Sequence, residues 1–222
     1  MQEILVLGDS HTPVFNHPLF KEKFPNLFFN VLTVIGATAS GLENPNSTTQ
    51  AYPVFRKAVR QTTAKQIIVM LGEVDTGFVI WYRAQKYQEP VAAMMDKAIT
   101  NYSRFLTELN LRFEVVCISA PLPTIQDDND WGDIANARKE VTASQVERTA
   151  LTLEFNRIMQ EFCTQNDIRY IMLDGLSLGD SGIVKSELLN GDCNDHHYDQ
   201  DQYARLLVDP KNLLSKTLQS IN

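Results

Sequence analysis

The chain has 222 residues, a formal net charge of −7, and 44% hydrophobic against 21% charged residues. This is the composition of a folded chain long enough for one sizeable core, not of a disordered one. Its acidic balance, with no basic cluster, argues against a nucleic-acid or anionic-membrane partner.

No apolar run approaches the ~18 residues that a spanning helix requires. The first residues read as a strand, with no charged start and no cleavage site, so no leader is expected. Cys117, Cys163 and Cys193 are odd in number and widely spaced, which is no disulfide framework; the expectation is a cytoplasmic setting.

The first apolar run is Ile4–Leu7, and runs of strand length follow at Phe28–Ile35, Gln66–Leu71, Glu114–Ser119 and Arg169–Leu173. They are rich in Val and Ile and do not alternate cleanly, as expected of parallel strands buried on both faces. Helical stretches lie between them. Ala51–Gln61 mixes apolar and basic residues. Pro90–Leu109 places Met94, Ala98, Tyr102, Phe105 and Leu109 at helical spacing. Thr142–Asn166 puts Leu151, Phe155, Ile158, Met159 and Phe162 on one side. Asp199–Ser220 packs leucines and Tyr203 against the sheet, and Pro210 divides it into two helices. The polar stretch Thr124–Asp133 reads equally as a rim loop or as a disordered excursion. Alternating strands and helices imply one doubly wound α/β domain over residues 1–222, with its site at the carboxyl ends of the strands.

Three of those ends carry polar or small residues. In "GDSHT", Gly8 permits a tight turn, and Ser10 stands where a helix would begin. Ser10 is therefore a helix cap or a nucleophile. In "VIGATASGL", Gly36 opens a small-residue turn, either an ordinary connection or one whose N–H points at an oxyanion. In "VMLGEVDTGF", Glu73 and Asp75 follow Gly72; acid–base work, metal binding and helix capping all suit such a pair.

The fourth feature is "GDCNDHHYDQDQY", which places His196 and His197, half of the four histidines, among Asp192, Asp195, Asp199 and Asp201. Carboxylates beside a histidine fix its tautomer and raise its pKa. His197 as a general base for Ser10, a metal set of Asp192, Cys193, His196 and His197, and a solvated loop compete here. The metal set is too compact for the usual spaced zinc ligands, so no metal is expected. No Gly-rich nucleotide fingerprint occurs, so no nucleotide cofactor is expected either.

Taken in order, these features resemble the SGNH (GDSL-like) hydrolase superfamily, and the resemblance runs from Gly8 to Tyr203. It implies a flavodoxin-like three-layer α/β/α sandwich with a mostly parallel five-stranded sheet. It also implies that Ser10, next to Asp9, is the nucleophile, that Gly36 donates to the oxyanion, and that His197 is the base. Val74 stands where the family has an oxyanion-hole Asn, and loss of one such donor costs ~10²–10³ in rate. Asn194 stands where the family has the orienting acid, which leaves that role to Asp195 or Asp192.

The "GDSH" and "GEVD" blocks are similar to a subgroup found beside glycan-synthesis functions, which makes His11 and Glu73 group-specific site residues; Asp75 and His196 complete the expected substrate-binding set beside them. Tyr82 and Arg83 suit a sugar ring or an acidic group, or they pack a surface helix. The resemblance thus implies a serine ester hydrolase or O-acyltransferase acting on a small-molecule or glycan ester. The alternative is a catalytically impaired, glycan-binding accessory domain.

Overall fold

A computed structural model describes residues 1–127, 141–192 and 195–220. Most of the polar stretch after Asp127 lies outside the described residues, as do Cys193 and Asn194.

Five strands, β1 (Gln2–Gly8), β2 (Leu27–Thr33), β3 (Gln66–Met70), β4 (Glu114–Ile118) and β5 (Arg169–Ile171), form one sheet in the order β2-β1-β3-β4-β5. Every pairing is parallel, so the sheet is wholly rather than mostly parallel. Period-two alternation within each strand sorts the core into two layers. Leu5, Leu7, Ile67, Val69, Val115 and Cys117 face one side. There they meet α2 (Ala51–Gln61), α3 (Ile80–Tyr87), α4 (Val91–Asn110) and α5 (Gln145–Gln165), which contribute Phe55, Ile80, Phe105 and Phe155. Ile4, Val6, Ile68, Met70, Val116 and Ile118 face the other side. That layer is closed by α1 (Pro18–Lys23), α7 (Gln200–Val208) and α8 (Leu213–Gln219). A single turn, α6 (Asp174–Ser177), follows β5.

The absence of alternation in the apolar runs has its cause here: β3 is buried along its whole length, and β1 and β4 along nearly all of theirs. β2 departs from that expectation. It pairs only with β1 and forms an edge, so Phe28 is half exposed and Ile35 lies beyond the strand end in solvent. The Pro210 break is realised as α7 and α8, capped by the side chains of Asp199 and Asn212. At α5, Ser144 and Glu147 form a reciprocal capping box.

The chain leaves β1 toward β2 on one side and passes β3 on the other. The crevice between the ends of β1 and β3 is therefore the switch point where such sheets place their sites. In register, Gly8, Thr33 and Met70 lie in one row across that end.

Candidate active site

β1 ends against β3 so closely that a Cβ on Gly8 would stand 2.1 Å from the Met70 carbonyl oxygen. Only glycine fits there. The chain then folds back. Asp9 is fully buried, and its Oδ1 accepts from the backbone N–H of His11 (3.0 Å) and from His11 Nδ1 (2.9 Å). The Asp9 carbonyl accepts from the N–H (3.1 Å) and the hydroxyl (2.8 Å) of Thr12. Asp9 thus does the local capping work. The short 3-10 turn over Thr12–Asn16 starts at His11 with no side-chain cap.

Ser10 is left at the tip, and its Oγ lies 2.7 Å from His197 Nε2. On the other side of that ring, His197 Nδ1 donates to Asp195 Oδ1 at 2.6 Å, and the same oxygen accepts the His197 backbone N–H at 2.9 Å. Asp195 Oδ2 accepts from Asn190 Nδ2 at 2.9 Å. Burial alone would raise the Asp195 carboxyl; the hydrogen bonds from His197 and the charge of the two imidazoles outweigh it and hold it below its ordinary value. An ionised carboxylate at Nδ1 keeps the proton there and leaves Nε2 as acceptor for the Ser10 hydroxyl.

The loop carrying His197 is fastened to the segment after β4. Tyr198 Oη accepts from the Leu122 N–H at 2.8 Å, and the Thr124 hydroxyl donates to the His196 carbonyl. Asn190, Thr124 and Tyr198 were not foreseen from the sequence, because each acts across a tertiary contact with no local signature.

No family model matches the sequence, and no curated protein matches it. Solved structures do. A GDSL-like lipase from Bacteroides thetaiotaomicron VPI-5482 aligns with 100% of this chain and 89% of its own, at a TM-score of 0.66 and 12% identity. The fold is that of the GDSL-like hydrolases. An acetyl xylan esterase aligns over 99% of this chain and 100% of its own (TM-score 0.62, 13% identity). An extracellular lipase from Streptomyces rimosus does so over 100% of both chains (TM-score 0.54, 13% identity).

Within this GDSL-like fold the remaining expected residues fall into two groups. Gly36 lies just beyond β2, whose extension is tied to β1 through the Val34 N–H and the Gly8 carbonyl (2.9 Å). Its φ of +71° is the left-handed region that glycine alone enters freely. His196 stacks obliquely on His197 with centroids 4.2 Å apart, and His11 meets the same ring edge-on at 4.9 Å.

Asp75 lies a few residues beyond the end of β3. It is fully buried, its oxygens accept from the N–H groups of Ala39 (2.6 Å) and Ser40 (3.0 Å), and it pins the small-residue turn to the end of β3. Burial pushes its carboxyl up to about 6, against the hydrogen bonds from Ser40 and Ala39 and the Arg83 charge. Arg83 serves the same turn, donating from Nη1 to Ser40 Oγ at 2.9 Å. A Cβ on Gly77 would stand 2.7 Å from Glu73 Oε1, so a glycine one turn on makes room for that buried carboxylate. Between Glu73 and Asp75, Val74 is buried and offers no side-chain donor. Tyr82 stacks on Phe78 at 5.6 Å and accepts from Lys86 Nζ.

Asp195, His196 and His197 bring three possible metal-donor atoms within 4.8 Å of one another. Both nitrogens of His197 are already engaged, by Ser10 and Asp195. A cation there would have to break the Ser–His–Asp hydrogen bonds, so the donor set fits proton transfer better than a metal centre. Among the described residues no helix is long and apolar enough to cross a membrane.

Proposed function

We propose that the chain is a serine ester hydrolase of the SGNH type. The observation that carries the reading is the 2.7 Å contact of Ser10 Oγ with His197 Nε2, on a ring whose Nδ1 is held by Asp195. In this mechanism His197 takes the Ser10 proton as Oγ attacks the ester carbonyl, and Asp195 stabilises the imidazolium. The backbone N–H groups of Ser10 and Gly36 receive the oxyanion, without the side-chain donor that Val74 lacks. His197 then returns its proton to the departing alcohol, which leaves an acyl group on Ser10. Water releases the acid, or a second alcohol takes the acyl group, as in an O-acyltransferase.

The glycan reading draws support from the acetyl xylan esterase among the similar structures. Asp75 and Arg83, which the sequence placed among substrate contacts, are assigned instead to shaping the Ala39–Ser40 turn.

The test is labelling by a fluorophosphonate probe together with hydrolysis of p-nitrophenyl acetate. Wild type labels and turns over, and Ser10→Ala does neither. Equal turnover by the two proteins would sink the proposal. Absence of labelling in wild type would favour the glycan-binding domain that Val74 motivates.

A further inference from the structure

The residues flanking Ser10 repeat one arrangement. In Asp195-His196-His197 an aspartate Oδ1 accepts both the N–H and the Nδ1 of the histidine two positions on, at 2.9 and 2.6 Å. In Asp9-Ser10-His11 an aspartate Oδ1 does the same, at 3.0 and 2.9 Å. The two imidazoles come from opposite ends of the chain and meet edge to face, at 62° with centroids 4.9 Å apart.

They differ in burial. His197 and Asp195 have side chains 21% and 41% exposed, whereas His11 and Asp9 are 2% and 0% exposed. The first pair lies on a solvent-facing loop; the second is set into the end of the sheet.

We propose that His11 is a positioning residue for His197, resting on the reading of Ser10 and His197 as nucleophile and base. Asp195 restrains the His197 ring at one nitrogen, from a partly exposed loop, and the other nitrogen meets only the Ser10 hydroxyl whose proton it must take. Two in-plane contacts leave the faces of the ring unsupported. His11 supplies that support. Its own ring is set into the end of the sheet at 2% exposure, so burial holds it in place where it meets His197 edge to face. His196 lies against the same ring at 4.2 Å, with its carbonyl held by Thr124.

Nε2 is thereby kept on Ser10 before any substrate arrives. At 2% exposure His11 has almost no surface to offer a ligand, so contact with substrate does not account for it. The property that the test isolates is a planar ring buried at that place.

Removing His11 alone would strand the buried Asp9 carboxylate, so the test uses paired changes. D9N/H11F neutralises the acid and keeps a ring; D9N/H11A neutralises it and removes the ring. Wild type and both variants are followed by the rate of fluorophosphonate labelling at Ser10, by kcat and KM on p-nitrophenyl acetate, and by the proton resonance of His197 Nδ1–H. A misplacement of about 1 Å in a catalytic group costs ~10²-fold. D9N/H11A is therefore expected to label ~10²-fold more slowly, with lower kcat, unchanged KM and a broadened resonance. D9N/H11F is expected to stay within ~10-fold of wild type with the resonance sharp.

Wild-type labelling rates in D9N/H11A would overturn the proposal. So would a raised KM with kcat unchanged, or equal slowing of both variants with sharp resonances. If wild-type Ser10 is not labelled at all, the ester-hydrolase reading fails separately. The resonance comparison then decides alone, and equal sharpness in the two variants overturns the role of His11.

Discussion

Replacing Asp195 gives a graded test, because its Oδ1 accepts two protons from one residue, the backbone N–H and the Nδ1–H of His197. In Asp195→Asn the amide has two orientations. Turning its NH₂ toward His197 opposes two donors at once, while turning it toward Asn190 opposes only one, the Asn190 Nδ2 whose amide is held by the Asp192 N–H at its oxygen. The variant therefore keeps a carbonyl on Nδ1–H and keeps the productive tautomer; it loses only the charge. A charged hydrogen bond exceeds a neutral one by about 1–1.5 kcal/mol, so Asp195→Asn should lower kcat by ~10-fold.

Asp195→Ala removes the acceptor and frees the tautomer. A wrong tautomer costs ~10⁴ where the acid is buried. The Asp195 side chain is 41% exposed and water can partly replace it, so the expected loss is ~10²–10³. Labelling rates at Ser10 and kcat on p-nitrophenyl acetate read both variants on one scale. The reasoning is refuted if Asp195→Asn is as damaged as Asp195→Ala, since the retained acceptor would then count for nothing.

Two further outcomes concern stability. Burial raises the Asp174 carboxyl from 3.8 to about 6, against its hydrogen bond from Asn156. The folded protein therefore holds that proton more tightly than the unfolded chain; the stabilisation is complete below 3.8 and is lost as pH rises through about 6. Relative to Asp174→Asn, the wild-type Tm should fall between these pH values, and parallel Tm curves would disprove it. Gly8→Ala drives a Cβ onto the Met70 carbonyl at 2.1 Å. Urea denaturation should show a loss of about 3 kcal/mol, and a loss below about 1 would mean that the β1–β3 end gives way easily.

The sheet was largely legible in the sequence because β1, β3 and β4 are buried on both faces and show uninterrupted apolar runs. β2 was found but misjudged, since its run has the same composition and only the edge position exposes it. The short α1 and α6 gave too few turns for a periodicity. Ser10 and His197 were legible as strand-end and loop residues. Their pairing stood among three readings of the loop until the family resemblance favoured it, because it depends on a contact 187 positions apart that leaves no local pattern. Asp75 shows the limit most clearly. A carboxylate after a strand suits several roles, and its partners, Ala39 and Ser40, lie 36 and 35 residues earlier. Asn156 gave no hint at all. It sits inside an amphipathic helix, yet it binds both the N–H and the carbonyl of Ala120 and reaches Asp174.

The 187-residue separation of Ser10 from His197 also bears on biosynthesis. The serine is translated early and its base late. At synthesis rates of ~5–20 residues per second, the hydroxyl waits on the order of ten to forty seconds for its partner. On the proposed reading a nascent chain therefore carries an ordinary serine until its partner is made. The contact forms only when the segment around His197 docks on the sheet's second layer, which would make Ser10 labelling a reporter of finished folding.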